Sequence, residues 1–342
     1  TAMLDSIPMV CITGQVPSSL IGSDAFQEID FTGITLPMTK HNYLVTKAEN
    51  IAPTIKEAFY IARSGRPGPV VVDITKDAQQ KSASFHWREE DITLPGYVPD
   101  HSPVDADINM ALELIRESKK PIIFSGHGVI QSGATQKLID FVEKTGMPVA
   151  QTLLGLGGFP ATHEKSLGMM GMHGESWVNE SIQEADLIIA VGMRFDDRVT
   201  GKLENYAKKA KKIHIEMDPA EINKNVKVDV PIISDISVAL DKLLPQVEAA
   251  NGKYADWFKR IDEGRGDSAV RDIKDMPNND HLYAAHVIHD LWQLTDGEAL
   301  IVTDVGQHQM WEAQYYKHDH TRKLLTSGGL GTMGFALPAA IG

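Results

Sequence analysis

Leu187–Arg198, LIIAVGMRFDDR, sets five apolar residues directly against a glycine and four charges. The run is far shorter than the ~20 apolar residues a membrane helix needs, and it lacks the alternation of a half-exposed strand. It reads as a parallel strand buried on both faces, running into a loop that carries chemistry. The same pattern recurs around it. Pro121–Ser125 (PIIFS) runs into Gly126-His127-Gly128, Ile213-His214-Ile215 into Glu216-Met217-Asp218-Pro219, and Ile232-Ile233-Ser234 ends at Asp235. Met9–Thr13, Val70–Ile74 and Leu300–Thr303 read as further strands. Stretches with helical spacing lie between them: Ile51–Ser64, Ala134–Thr145, Ser176–Glu184 and His281–Leu294. Buried strands alternating with helices predict an α/β fold of parallel sheets flanked by helices.

Two stretches break this rhythm. Residues 79–105 are polar and carry three prolines, and residues 248–280 are highly charged, with Gly252, Gly264, Gly266 and Pro277. Both read as connections, although part of the second has helical character. They leave blocks at 1–78, 106–247 and 281–342. The last block is too short to bury a core of its own, and the chain opens at Thr1 and stops inside a glycine-rich stretch and its helix. The expectation is a piece of a longer protein whose first and third domains are incomplete. A targeting segment ahead of Thr1 would not be visible.

The 342 residues fit two or three domains, and the formal net charge of −13 argues against nucleic acid as a partner. Lys119-Lys120 and Lys208–Lys212, the densest basic runs, each adjoin an expected strand and read as solvated ends. No membrane segment is expected. The single cysteine, Cys11, cannot form an internal disulfide. Within Met9–Ile12 it is expected to be buried and inert.

In open parallel sheets, ligands sit beyond the carboxyl ends of the strands. Glycines there let the backbone approach a phosphate, helix N-termini supply N–H donors, and an acid can hold ribose hydroxyls. Four such ends in the middle block point to a nucleotide. The alternative is a sheet whose glycines are only turns, with Asp218-Pro219 an ordinary helix start.

Longer motifs are more specific. The first block holds ITGQVP (Ile12–Pro17), GSDAFQE (Gly22–Glu28), KHNY (Lys40–Tyr43) and SGRPGPVVVDITK (Ser64–Lys76). LGMMGMHG (Leu167–Gly174) and GMRFDDRVTG (Gly192–Gly201) follow in the middle block. The last has TDVGQHQMW (Thr303–Trp311) and TSGGLGTMGFALPAAIG (Thr326–Gly342). Together, and over nearly all of the chain outside the two connections, these resemble the catalytic (large) subunit of acetolactate synthase. The resemblance implies the three-domain fold of thiamine-diphosphate enzymes: the end of a pyrimidine-binding domain, a whole central FAD-binding domain, and the start of a diphosphate-binding domain. It implies condensation of two pyruvates, or of pyruvate and 2-oxobutyrate, with release of CO2, in the biosynthesis of branched-chain amino acids. Thiamine diphosphate, FAD and Mg2+ are the implied cofactors.

The roles implied for single residues follow the motifs. Phe26 and Gln27 line the active site, and Lys76 stands near the reacting acids; by itself Lys76 also reads as an exposed residue after a strand. Arg198, oriented by Asp197, grips the second substrate's carboxylate, although an ordinary ion pair at a helix start has the same spacing. Met172 and His173 lie between flavin and substrate, where methionines also suit a plain core. Flavin contacts fall on Arg66, Thr152, Leu153, Met170, Gly171, Met172, His173, Gly192, Met193, Arg194, Phe195, Asp196, Glu216, Met217 and Asp235. Two departures from the family pattern bear on it: Gly126-His127-Gly128 replaces three glycines, and Glu216 replaces an aspartate. For thiamine diphosphate the implied contacts are Val305, Gly306, Gln307, His308 and Gly331, with Met333 bending the cofactor.

The resemblance places an activating glutamate upstream of Thr1 and the Mg2+ ligands beyond residue 342. The chain alone is therefore expected to be inactive, and no metal ligand is assigned within it. Implied partners are a second copy, as homodimer or homotetramer, and a small regulatory subunit; the implied location is the bacterial cytoplasm, or an organelle. Pyruvate oxidase and glyoxylate carboligase are alternatives within the superfamily, and a non-catalytic FAD-binding module is one outside it.

Overall fold

The structure, a computed structural model, describes residues 1–85, 92–267 and 279–342. Parts of both expected connections, 86–91 and 268–278, lie outside them. Two compact units divide the chain, Thr1–Asp100 and His101–Gly342.

In the first unit β1 (Met9–Gln15), β2 (His41–Val45) and β3 (Pro69–Thr75) form a parallel sheet in the order β1-β3-β2. The Val70-Val71-Val72 run makes β3 the centre, and all seven of its residues are buried. The helix α2 (Ile51–Arg63) lays Ala58, Ile61 and Ala62 against Val45, Val70, Val72 and Ile74. Short helices α1 (Phe31–Thr35) and α3 (Lys76–Gln80) complete the unit. Among the described residues β1 pairs with β3 alone. Cys11 is half-buried rather than buried.

The second unit is built on six parallel strands: β4 (Pro121–Ser125), β5 (Val149–Gln151), β6 (Ser166–Met169), β7 (Leu187–Val191), β8 (Lys211–Glu216) and β9 (Val230–Ile233). Their order is β6-β5-β4-β7-β8-β9. The chain winds outward from β4 in one direction, then returns and winds outward from β7 in the other. This is the doubly wound order whose ligand crevice lies where the winding reverses, here between the carboxyl ends of β4 and β7. Ile122, Ile123, Phe124, Ile188 and Ala190 are completely buried, as expected of strands covered on both faces. The covering helices are α4 (Asp105–Glu117), α5 (His127–Gln131), α6 (Thr135–Thr145), α7 (Ser176–Glu184), α8 (Asp197–Thr200) and α9 (Ile236–Leu243).

The stretch 248–280 is more than a connection. It contains α10 (Ala255–Asp267), and Tyr254, Trp257 and Ile261 are buried in the same core as β4 and β7. Their spacing makes an apolar stripe, while the charges occupy the other positions. Trp257 Nε1 donates to the Pro121 carbonyl at 2.9 Å.

Beyond it, α11 (Ala284–Leu294) and α12 (Gln307–Tyr315) pack together beside a two-stranded parallel sheet of β10 (Ile301–Val302) and β11 (Leu324–Leu325). The last helix is α13 (Ala336–Ile341). Among the described residues, no helix is long and apolar enough to cross a membrane.

Candidate active site

At the winding reversal, the loops after β4 and β7 meet without side chains between them. Gly126 N donates to Val191 O at 3.0 Å and Gly128 N to Gly192 O at 2.9 Å. A Cβ on Gly126 would stand 2.3 Å from Gly192 O. Gly192 itself has φ +58, a conformation that favours glycine. The Thr152–Leu153 turn closes over the same point: Thr152 N donates to Ser125 O at 3.1 Å, and His127 Nδ1 lies 2.8 Å from Leu154 O.

Beyond the carboxyl ends of β4, β5 and β6, three buried polar atoms have no partner among the described residues. They are Ser125 Oγ at the end of β4, Gln151 Nε2 at the end of β5, and His173 Nδ1 in the loop after β6. A buried polar group left unpaired costs ~1–3 kcal/mol, so the arrangement suits a bound group that hydrogen-bonds here. Burial, and then the nearby Arg198 charge, lower the pKa of His173, which favours the neutral ring. The two acids expected to hold a ribose engage their own loops. Glu216 Oε1 accepts from Met217 N (2.9 Å) and Asp218 N (3.1 Å), and Asp235 caps α9 through Ser237 N and Val238 N.

The loop Met170–Gly174 is held from several sides. Gly171, at φ +90, donates from its N–H to Asn179 Oδ1 at 2.9 Å and accepts at its carbonyl from Asn179 Nδ2 at 2.8 Å, and a Cβ on it would meet Arg198 O at 2.4 Å. Met172 N donates to Arg198 O at 2.7 Å, and Arg198 Nη1 lies 2.9 Å from Met172 Sδ. Met170 is buried, whereas Met172 is exposed. Arg198 sits in the first turn of α8, which Asp196 caps through Arg198 N and Val199 N. Asp197 Oδ2 is 3.6 Å from Arg198 Nε, and Arg194 pairs with Asp196 at 3.7 Å. Met193 and Phe195 are buried under them, with Phe195 edge-on to His214.

A second cluster lies at the carboxyl ends of β10 and β11. Asp304 accepts from Val305 N (2.8 Å), Gly334 N (2.9 Å) and Ala336 N (3.1 Å), tying the loop after β10 to the segment before α13. These N–H donors hold its carboxyl below the usual carboxylate range. Beneath, Thr303 and Gln309 both donate to Thr326 Oγ1, at 2.6 and 2.7 Å. Gly306 precedes α12, whose first turn exposes Gln307 and His308. Gly331 has φ +61, and Met333 is 78% exposed. Val305 N–H is taken up by Asp304, and the N-terminal turn of α12 after Gly306 is the donor end that suits a diphosphate.

Residues 108–243 match the thiamine pyrophosphate enzyme central domain, and residues 304–342 match the C-terminal TPP binding domain of thiamine pyrophosphate enzymes. The chain belongs to the thiamine pyrophosphate enzyme family. Within that family it is similar over its whole length to acetolactate synthases. It is 46% identical to that of Mycobacterium leprae over 346 residues, which are 55% of that protein. Against acetolactate synthase 2, chloroplastic, of Nicotiana tabacum it is 48% identical, covering 51% of it, and against the large subunit of Corynebacterium glutamicum 47%, covering 54%. The chain spans about half the length of the curated relatives it matches.

The remaining expected residues of this family member lie in the first unit. Phe26 is 89% exposed and Gln27 has φ +64, in a turn braced by Glu28, which accepts from Gly22 N and Ala25 N. Lys76 is exposed at the start of α3, beyond β3. Its neighbour Asp77 accepts from Ser18 N and Ser18 Oγ, both at 2.8 Å. Arg66 Nε donates to Ser6 Oγ at 2.9 Å. Among the described residues, no group of three or more His, Cys, Asp or Glu could hold a metal ion.

Ser125, Gln151, Asn179 and Asp304 were not singled out from the sequence. Ser125 and Gln151 did carry a signal: each is a polar residue closing an apolar run at a carboxyl end. Asp304 carried it too, just past the run Leu300–Thr303, whereas Asn179 carried none, because its partners are backbone groups of another loop.

Proposed function

We propose that this chain carries the central and part of the catalytic machinery of an acetolactate synthase, joining two 2-oxo acids with loss of CO2. The observation that supports it best is Arg198, an exposed guanidinium held in place by the Asp196 cap, Asp197 and Met172. A planar guanidinium pairs with a carboxylate through two parallel hydrogen bonds, and the acceptor of this reaction is a carboxylate. Bound thiamine diphosphate supplies the electron sink for decarboxylation. The chain's own residues bind and orient. Val305–His308 and Gly331 hold the diphosphate, Met333 shapes the cofactor, Phe26 and Gln27 line the reacting centre, and Lys76 offsets carboxylate charge. The unpaired Ser125, Gln151 and His173 atoms and the closely approaching Gly126 and Gly192 fit FAD in a structural role. Mg2+ with ligands outside this chain, a homodimer or homotetramer, a small regulatory subunit and a cytoplasmic or organellar location complete the reading.

The test is to incubate the complete enzyme with pyruvate, thiamine diphosphate, Mg2+ and FAD, and to assay acetolactate by its acid conversion to acetoin. Acetoin forms without oxygen uptake, whereas a pyruvate oxidase consumes oxygen. Arg198→Ala raises the KM for 2-oxobutyrate roughly ten- to a hundredfold, the equivalent of a lost charged hydrogen bond. Oxygen consumption, or an unchanged KM, overturns the assignment.

A further inference from the structure

Helix α12 begins at the loop expected to hold diphosphate and ends at the loop that touches Arg198. Its last turn carries Gln314, whose Nε2 donates to the His173 carbonyl at 2.7 Å. The helix is fixed along its length. Gln309 is anchored on Thr326, and the buried pair Glu312–His318 meets at 2.6 Å. The segment after the helix is tied to the central block as well: Ala161 N donates to His318 O at 3.1 Å, and Thr162 N and Oγ1 reach the Asp319 carboxylate at 2.8 Å each. Gln314 therefore presents its donor from a rigid frame.

What it holds is the residue after Met172. Met172 contacts Arg198 twice, through its N–H and its sulfur. We propose that Gln314 is a positioning residue for recognition of the second 2-oxo acid. By fixing the His173 carbonyl it fixes Met172, and through Met172 the direction of the Arg198 guanidinium. The thioether is a weak acceptor, so it aligns the guanidinium without neutralising it. The proposal rests on Arg198 being the acceptor's carboxylate anchor.

The experiment uses the complete enzyme loaded with FAD, Mg2+ and thiamine diphosphate, with 2-oxobutyrate varied at saturating pyruvate. Gln314→Leu removes the donor and leaves a half-buried carbonyl unpaired. The expected result is a roughly tenfold higher KM for 2-oxobutyrate, a changed product ratio between the two acceptors, and a kcat within about twofold. Gln314→Glu, of the same size but lacking the donor, has the same effect and serves if the leucine variant does not fold. Gln314→His, which presents a ring N–H at the same number of bonds, restores the product ratio. Thr162→Val loosens the same contact between blocks elsewhere; it lowers the melting temperature and leaves the ratio unchanged. An unaltered KM and ratio in both Gln314→Leu and Gln314→Glu overturns the inference, as does an equal shift in Thr162→Val. Wild-type enzyme that makes no acetolactate instead overturns the functional reading itself.

Discussion

Gly126→Ala isolates the close approach on which the central crevice depends. Gly126 has φ −106 and ψ −175, extended values open to any residue, so backbone strain gives no reason for a glycine here. Space does. The new Cβ would lie 2.3 Å from Gly192 O, 2.4 Å from Met193 Cβ and 2.7 Å from Met193 Cα. Two of these are backbone atoms, and Met193 is buried with its carbonyl engaged by His214 Nε2 at 2.9 Å, so neither side yields cheaply. Relief requires the loops after β4 and β7 to part by about 1 Å, which strains the bonds Gly126 N to Val191 O and Gly128 N to Gly192 O. Overpacking costs ~1–3 kcal/mol and two weakened hydrogen bonds add ~1–2 kcal/mol. The total, ~2–5 kcal/mol, corresponds to a fall of ~4–20 °C in Tm for a unit of this size. Thermal melting followed by circular dichroism measures it. Gly133→Ala is the control, because Gly133 has φ +64 but nothing within 4 Å of a Cβ; it costs only the ~1–2 kcal/mol of a left-handed backbone. A Gly126→Ala chain melting within ~2 °C of wild type refutes the close-approach argument.

Two further outcomes concern the second unit. Trp257→Ala removes a side chain 2% exposed and bonded to Pro121 O, so urea denaturation should show a loss of ~3–5 kcal/mol; a loss under ~1 kcal/mol would mean that α10 is dispensable to the core. Asp304→Asn tests the loop tie through pH. The folded carboxyl titrates below its unfolded value of ~3.9. Its contribution is therefore complete above pH ~4 and is lost as pH falls through the folded pKa. The melting curves of wild type and variant differ at neutral pH and converge as pH falls through the lowered folded pKa; a constant gap rules the tie out.

The strands β4, β7 and β8 were legible because each is an apolar run ending at a change of composition. β5 and β6, at three and four residues, are too short to show a period, and sheet order is invisible because β4 pairs with β7 across two intervening strands. α10 hid behind its charges, since Tyr254, Trp257 and Ile261 are few against the polar majority. Sequence singled out Gly126, Gly128 and Gly192, which the structure brings together at the ends of β4 and β7. It did not show that Glu216 and Asp235 are engaged by their own loops, because side-chain bonds to nearby backbone depend on the turn the chain makes. Gln314 escaped for the opposite reason: its partner is a distant carbonyl, and a carbonyl carries no residue identity.

The position of β4 has a consequence for how the chain is made. β4 is the first strand of the six to leave the ribosome, yet it stands in the middle of the finished sheet, paired with β5 on one side and β7 on the other. Until β7 emerges, several seconds later at ~5–20 residues per second, Ile122, Ile123 and Phe124 present an open hydrogen-bonding edge on an apolar segment. Such an edge recruits strands from other chains, and its native partner is non-local, which slows closure. Slowing synthesis lengthens this interval, whereas holding the nascent segment on a chaperone until β7 arrives removes the hazard. The hazard thus follows from the order in which the six strands are delivered, apart from how stable they are once assembled.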